Sequence, residues 1–220
     1  MTDRRLRDLL LLALTLNAGA IDALSYLGLN RVFTANMTGN MVLLALSAGQ
    51  GQEFGAIRSA TAFVGYAIGA FAGARIVGRS RSAEVWAPRV TTALAVELLL
   101  LVALALGWQA TGAHPVRPAL EVLIGFSAAA MGLQSAAAAR LAVIGITTTY
   151  VTGTLTGLMS ELAALTGRSS WGLRAGVIMA LAVGAGINAL VLRYWPPGAA
   201  LLPLAMLVGV TLTALRCFRS

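Results

Sequence analysis

The residues of this chain that could do chemistry are few, and they sit where polar side chains are costly. Asp22 interrupts the apolar run Leu6–Leu29, with Asn17 before it and Ser25 after it, spacings that put all three on part of one helical face. A carboxylate deep in a bilayer costs about 2.5–3.5 kcal/mol on insertion scales, so it faces a cavity or a partner. Two roles fit Asp22: a proton- or cation-linked carboxylate, or a structural carboxylate bonded to a neighbouring helix end. Arg140, also deep in an apolar run, is a charge partner for Asp22 or a receiver for an anionic substrate.

A second polar group follows. Thr34, Asn36, Thr38 and Asn40 alternate with small or apolar residues, and Gly39 interrupts the helical pattern. Its counterpart is the stretch Thr147–Thr156, which includes Thr148, Thr152 and Thr154. Such stretches suit broken or short polar helices whose free backbone groups bind ions or small anions. They equally suit helices that approach closely and hydrogen-bond to one another. Gly65, Gly69 and Gly73 form a small-residue ladder for close packing, at a repeat interface or in a homodimer. Glu97 sits deep, Asn188 reads as a helix-to-helix bond, and Glu121, Arg75 and Glu161 lie near enough to segment ends to snorkel.

Several chemistries have no residues to support them. The one histidine, His114, falls in a connecting segment and the one cysteine, Cys217, near the chain end, which leaves no His/Cys metal site. Asp22 has no aspartate partner elsewhere in the membrane, and no nucleophile stands with a base, so the chain is not expected to be an enzyme. No Gly-x-x-x-x-Gly-Lys-Ser/Thr loop is present and no cofactor is implied.

The elements that must position these residues are membrane helices. Hydrophobic residues make up 58% of the chain and charged ones 11%, with a mean hydropathy of +0.82. A soluble domain carries about 25% charged residues; this chain lacks the charge to cover a water-facing surface. Eight apolar segments stand out: Leu6–Leu29, Val32–Ala48, Phe54–Val77, Val90–Trp108, Pro118–Leu141, Ile144–Leu165, Trp171–Leu192 and Ala199–Phe218. A crossing takes roughly 20 apolar residues, and the second and sixth segments are short or polar for that. The run after Arg4–Arg7 continues through Leu29, which fits an uncleaved first helix rather than a signal peptide. The net charge of +8 comes from arginines at segment ends, where cations anchor helices and read anionic headgroups; there is no basic stripe for nucleic acid.

The two halves of the chain look alike. Setting Gly39 against Gly153, an offset of 114, aligns two Thr-Gly pairs. The same offset, within one residue, sets Gly19 against Gly132 and Gly69 against Gly184, and Asp22 then falls beside Gln134 or Ser135. An internal duplication, with residues 6–108 and 117–218 as the repeats, accounts for this. An odd number of crossings per half would make the repeats inverted, an even number parallel.

Gly19-Ala20-Ile21-Asp22-Ala23-Leu24-Ser25-Tyr26-Leu27, followed by Phe33-Thr34-Ala35-Asn36-Met37-Thr38-Gly39-Asn40, resembles the signature of the YoaK-like family. Gly132-Leu133-Gln134 and Thr148–Leu155 resemble that family's second patch, departing from it at Ser135-Ala136. The resemblance covers essentially the whole chain. It implies a bacterial multi-pass inner-membrane protein of about six spans and brings no established substrate.

The sequence therefore predicts one all-α, polytopic helical bundle of six to eight segments over residues 1–220. Its predicted partners are the lipid bilayer and an unknown small solute or ion. The function this favours is a small secondary transporter or permease, with Asp22 as coupling group and Asn17, Ser25, Thr34, Asn36, Thr38, Asn40, Gln134, Thr148, Thr152 and Thr154 lining the path. A membrane scaffold, assembly factor or lipid-handling protein is the alternative.

Overall fold

The structure, a computed structural model, describes residues 3–78, 85–141, 151–163 and 171–218. Among these residues it is all helix: α1 (Asp3–Gly28), α2 (Met37–Gly49), α3 (Glu53–Val77), α4 (Pro88–Ala110), α5 (Ala119–Arg140), α6 (Val151–Ala163), α7 (Trp171–Tyr194) and α8 (Gly198–Cys217). Six of them, all but α2 and α6, are long and apolar enough to cross a membrane. The predicted range of six to eight thus resolves at its lower end for the described residues.

The second segment differs most from its prediction. It was expected to run from Val32, but its helix begins at Met37. The chain leaves α1 through Asn30 and Arg31, both left-handed, at φ 61° and 63°. That conformation costs a residue other than glycine about 1–2 kcal/mol. It reverses the chain, and residues 32–36 run on without helical structure until the Asn36 side chain caps α2 by accepting from the Gly39 N–H at 3.3 Å. The 13 residues of α2 span only about 20 Å, against about 30 Å of hydrocarbon.

Glycine decides how the long helices pack. A Cβ on Gly19 of α1 would lie 2.1 Å from the Leu181 carbonyl oxygen of α7, and one on Gly184 of α7 would lie 2.0 Å from that of Leu16. In the second crossing, a Cβ on Gly69 of α3 would lie 2.0 Å from the Ala129 carbonyl oxygen of α5, and one on Gly132 would lie 2.2 Å from that of Tyr66. These helices touch backbone to backbone, which only glycine permits. The Gly65, Gly69 and Gly73 ladder is occupied by α5, against Gly125, Ala129 and Leu133 in order.

The same contacts give direction. Leu12 lies beside Gly176 and Leu16 beside Gly184, so α1 and α7 run in the same sense, as do α3 and α5. Asn17 of α1 meets Gln134 of α5, and a chain of hydroxyls joins Ser25 to Ser127, so α1 and α5 run oppositely. Gly107 near Leu123 opposes α4 to α5, and the Trp108 bond to the Pro196 carbonyl opposes α4 to α8. Hence α1, α4 and α7 point one way and α3, α5 and α8 the other. The opposed α1 and α3 leave α2 no room for a full crossing between them.

The outer surface is bulky and apolar: Phe63, Val64, Ile68 and Phe71 on α3, and Met179, Val183, Ile187 and Leu190 on α7, are exposed. The interior packs Leu14, Ile21, Leu94, Leu104, Trp108 and Met131 around the buried small and polar residues, and an apolar exterior of this kind is one that lipid tolerates and water does not. Arg4, Arg5, Arg7, Arg75, Arg89, Arg140, Arg174 and Arg216 lie toward one face of the bundle, where α1, α4 and α7 begin. Among the described residues, only Arg31, Arg58, Arg117 and Arg193 lie toward the other.

Backbone contact at glycine makes a sharp expectation. Gly184→Ala should destabilise the protein by about 1–3 kcal/mol through overpacking. Gly186→Ala, one residue pair along the same helix with nothing within 4 Å of its Cβ, should leave stability within error. Unfolding by SDS titration from mixed micelles measures both; equal effects would show that the crossing is not tightly packed.

Candidate functional site

The candidate site is a polar seam that α1, α5 and the break before α2 build together. Near the middle of α1, Asn17 Nδ2 donates to Gln134 Oε1 at 3.2 Å, and Gln134 Nε2 donates to the Leu14 carbonyl at 2.9 Å. Both side chains are fully buried, and Asn17 Oδ1 has no hydrogen-bond partner among the described residues. Further along α1, Ser25 Oγ donates to the Ile21 carbonyl at 2.7 Å. Its one proton is then committed, so Thr34 must donate to Ser25 Oγ at 2.7 Å, and Ser127 of α5 to Thr34 Oγ1 at 2.8 Å. Three buried hydroxyls form a directed chain from α5 through the break to α1.

Asp22 sits between these two groups and anchors the break. Its Oδ1 accepts from the Thr34 N–H at 2.9 Å and from the Ala35 N–H at 2.7 Å. The left-handed pair at Asn30 and Arg31 is what brings those backbone groups back to α1. Asn40, buried at the start of α2, closes the segment from the other side, accepting from the Phe33 N–H at 2.9 Å and donating to the Phe33 carbonyl. Tyr26 stacks on Phe33 with ring centroids 5.1 Å apart. A negative charge on Asp22 strengthens two backbone hydrogen bonds, which ties the charge state of this side chain to the shape of the break.

The structure thus brings together Asn17 with Gln134, Asp22 and Ser25 with Thr34, and Asn40 with the same segment. Asn36 caps α2 and Thr38 is exposed on it. Thr148 lies outside the described residues. Thr154 is buried and Thr152 exposed on α6, which packs on α7 while α2 packs on α3. The described parts of α2 and α6 do not meet.

Arg140 is not the partner of Asp22. The opposed register of α1 and α5 sets Arg140 level with Leu12, about 15 Å from Asp22 along the helix axis. Arg140 instead lines a cavity of about 870 Å³ with Arg75, Phe71 and Ala136, at the arginine-rich face. Sequence reading missed Ser127, whose only signal was its place two helical turns before Gln134. Asn188 behaves as predicted, donating to the Ala20 carbonyl of α1 at 2.7 Å and the Ala199 carbonyl of α8 at 3.0 Å. Near the break, a polar cavity of about 480 Å³ is lined by Tyr26, Asn30, Arg31, Gln50, Gln52 and Arg58, among others.

The anchoring role of Asp22 has a direct test. Asp22→Ala strands two backbone N–H groups, and we expect a loss of roughly 1–3 kcal/mol in detergent unfolding. Asp22→Asn retains an acceptor and should lose less. Equal stability of wild type and Asp22→Ala would mean that the break does not depend on this carboxylate.

With this geometry in place, comparison with known proteins adds identity at the level of family. The family described as "Protein of unknown function (DUF1275)" matches residues 10–213. The chain is 35% identical to the "UPF0700 transmembrane protein YoaK" of Bacillus subtilis (strain 168) over 222 residues, covering 97% of this chain and 96% of that protein. No solved structure matches. The resemblance carried by the Gly19–Leu27 and Phe33–Asn40 stretches holds over nearly the full length: the chain belongs to the DUF1275 family and is a multi-pass membrane protein with six helices long enough to span the bilayer.

Proposed function

We propose that this protein is a small secondary transporter or permease that moves a small solute or ion along the α1–α5 seam, and that it performs no chemical transformation. The observation that carries the reading is Asn17 Oδ1, a fully buried amide oxygen with no hydrogen-bond partner among the described residues, beside Gln134 near the middle of the bundle. Asn188 Oδ1 is open in the same way, and what supports the reading at Asn17 is its place beside Gln134, where the two halves of the chain meet. An open acceptor in a dry interior suits a group that arrives and leaves. Asp22 is the coupling group: neutralising it weakens its hold on the Thr34 and Ala35 N–H groups and frees the break to move.

The repeat reading supports the same function. Gly19 and Gly132, related by the sequence offset, each sit at a backbone-contact crossing with the third long-segment glycine of the opposite half, Gly184 and Gly69. Corresponding helices run oppositely in the two halves, as inverted repeats require, and such repeats place solute sites where they meet. The arginine-rich face is read as cytoplasmic by the positive-inside rule, in a bacterial inner membrane.

One observation favours the rival reading of a non-transporting scaffold: Asp22 Oδ1 is already engaged by two backbone N–H groups. Reconstitution separates the two. Ion current and solute flux in proteoliposomes, over a panel of small anions, cations and metabolites, should be present in wild type and reduced on the order of tenfold in Asp22→Asn. No flux from folded, correctly inserted protein would favour the scaffold. Orientation has its own readout. Cys217, exposed at the end of α8 on the arginine-rich face, should react with a membrane-impermeant thiol reagent in inverted vesicles and not in intact cells. The reverse pattern would refute the assignment of faces.

A further inference from the structure

Glu97 is the group that the seam leaves out. It lies near the middle of α4 with 0% exposure, and among the described residues neither carboxyl oxygen has a hydrogen-bond partner. No cation reaches it: the ion pairs of the described acidic residues are Asp8 with Arg7, Glu121 with Arg117 and Glu161 with Arg174. Helices α3, α5 and α8 pack against α4. Their charged residues are Glu53, Arg58 and Arg75 on α3, Glu121 and Arg140 on α5, and Arg216 on α8, all within two turns of a helix end. Tyr66 of α3 and Cys217 of α8 are their other titratable groups. An apolar interior does not readily hold an unpaired carboxylate.

A second open group marks a way in. Thr211 of α8 is 5% exposed, and its hydroxyl also lacks a partner among the described residues. It lines a groove of about 440 Å³ between α4 and α8, with Pro88, Thr91, Thr92, Ala95 and Ala214. The groove lies toward the arginine-rich face, at the start of α4 and the end of α8. The opposed register fixed by Trp108 and Pro196 puts Thr211 about one helical turn along the axis from the level of Glu97, on the groove side.

We propose that Glu97 is an exchangeable proton-binding site, loaded from the arginine-rich face through the α4–α8 groove, with the Thr211 hydroxyl as the last relay. The proton comes from water and returns to water; no other reactant is needed. As the proton site of a gradient-driven carrier, Glu97 rests on the transport reading, whereas its proton exchange does not. Asp22 lies toward the opposite end of the bundle from the groove, so the two carboxyl groups face the two sides of the membrane.

Infrared difference spectroscopy of the full chain in lipid at neutral pH, wild type minus Glu97→Gln, tests the proposal. The expected result is the carbonyl band of an un-ionised carboxylic acid. The band should shift on transfer to D₂O, fade as pH is raised, and exchange more slowly in Thr211→Val. Glu97→Asp, which keeps the acid, should move the band rather than remove it, and so guards against a misfolded Gln variant. Absence of the band, or a band that never responds to D₂O, would overturn the site. If the band exchanges while no solute moves under any gradient, the transport reading fails and the proton site stands. Flux without the band has the opposite meaning.

Discussion

Backbone contact at four glycines is the constraint from which the rest of the bundle follows. In lipid, helices gain nothing by hiding apolar side chains from their surroundings, so close packing must supply the association. Gly19 with Gly184, and Gly69 with Gly132, remove the side chains that would hold the axes apart. Two tight pairs result, α1 with α7 and α3 with α5, and α1 and α5 become the inner members, with α8 resting on α1 and α4 on α5. Bulky residues are pushed to the lipid side, where Phe71 and Ile68 are among the most exposed apolar side chains.

Placing α1 and α5 inside is what makes polar chemistry affordable there. Asn17, Ser25, Ser127 and Gln134 can be buried because each finds a bond within the seam, and the reversed segment before α2 contributes Thr34 and its backbone to the same network. The exceptions carry the functional argument. Asn17 Oδ1 and both Glu97 carboxyl oxygens, like Asn188 Oδ1 and the Thr211 hydroxyl, have no partner among the described residues, and natural interiors keep few such atoms without a use.

Much of this was legible in the sequence, for identifiable reasons. Long apolar runs fix six helices because a bilayer requires them, and their ends fell within a few residues of prediction. The landmark glycines were visible as a repeating offset, although not that each would pair with the other half. The start of α2 was illegible because Val32 and Phe33 continue an apolar pattern, while the left-handed turn at Asn30 and Arg31 leaves no periodic trace. The pairing of Asp22 with Arg140 failed for a different reason: it depended on helix register, which two isolated charges cannot set. Glu97 was seen as deep, but only packing could reveal that nothing answers it.

The crossed pairing of helices also bears on how the chain is made. During synthesis α1 is made before α7, for which its glycine face must wait, and α8, which also leans on α1, comes later still. Asp22 meets its partners at once in the segment before α2, but until α5 and then α7 have followed, the rest of α1 must persist as a separately inserted helix, with Asn17 facing lipid or the insertion machinery. Assembly of this small protein is therefore a late, collective event rather than a stepwise one, and truncation near the end would strand its beginning.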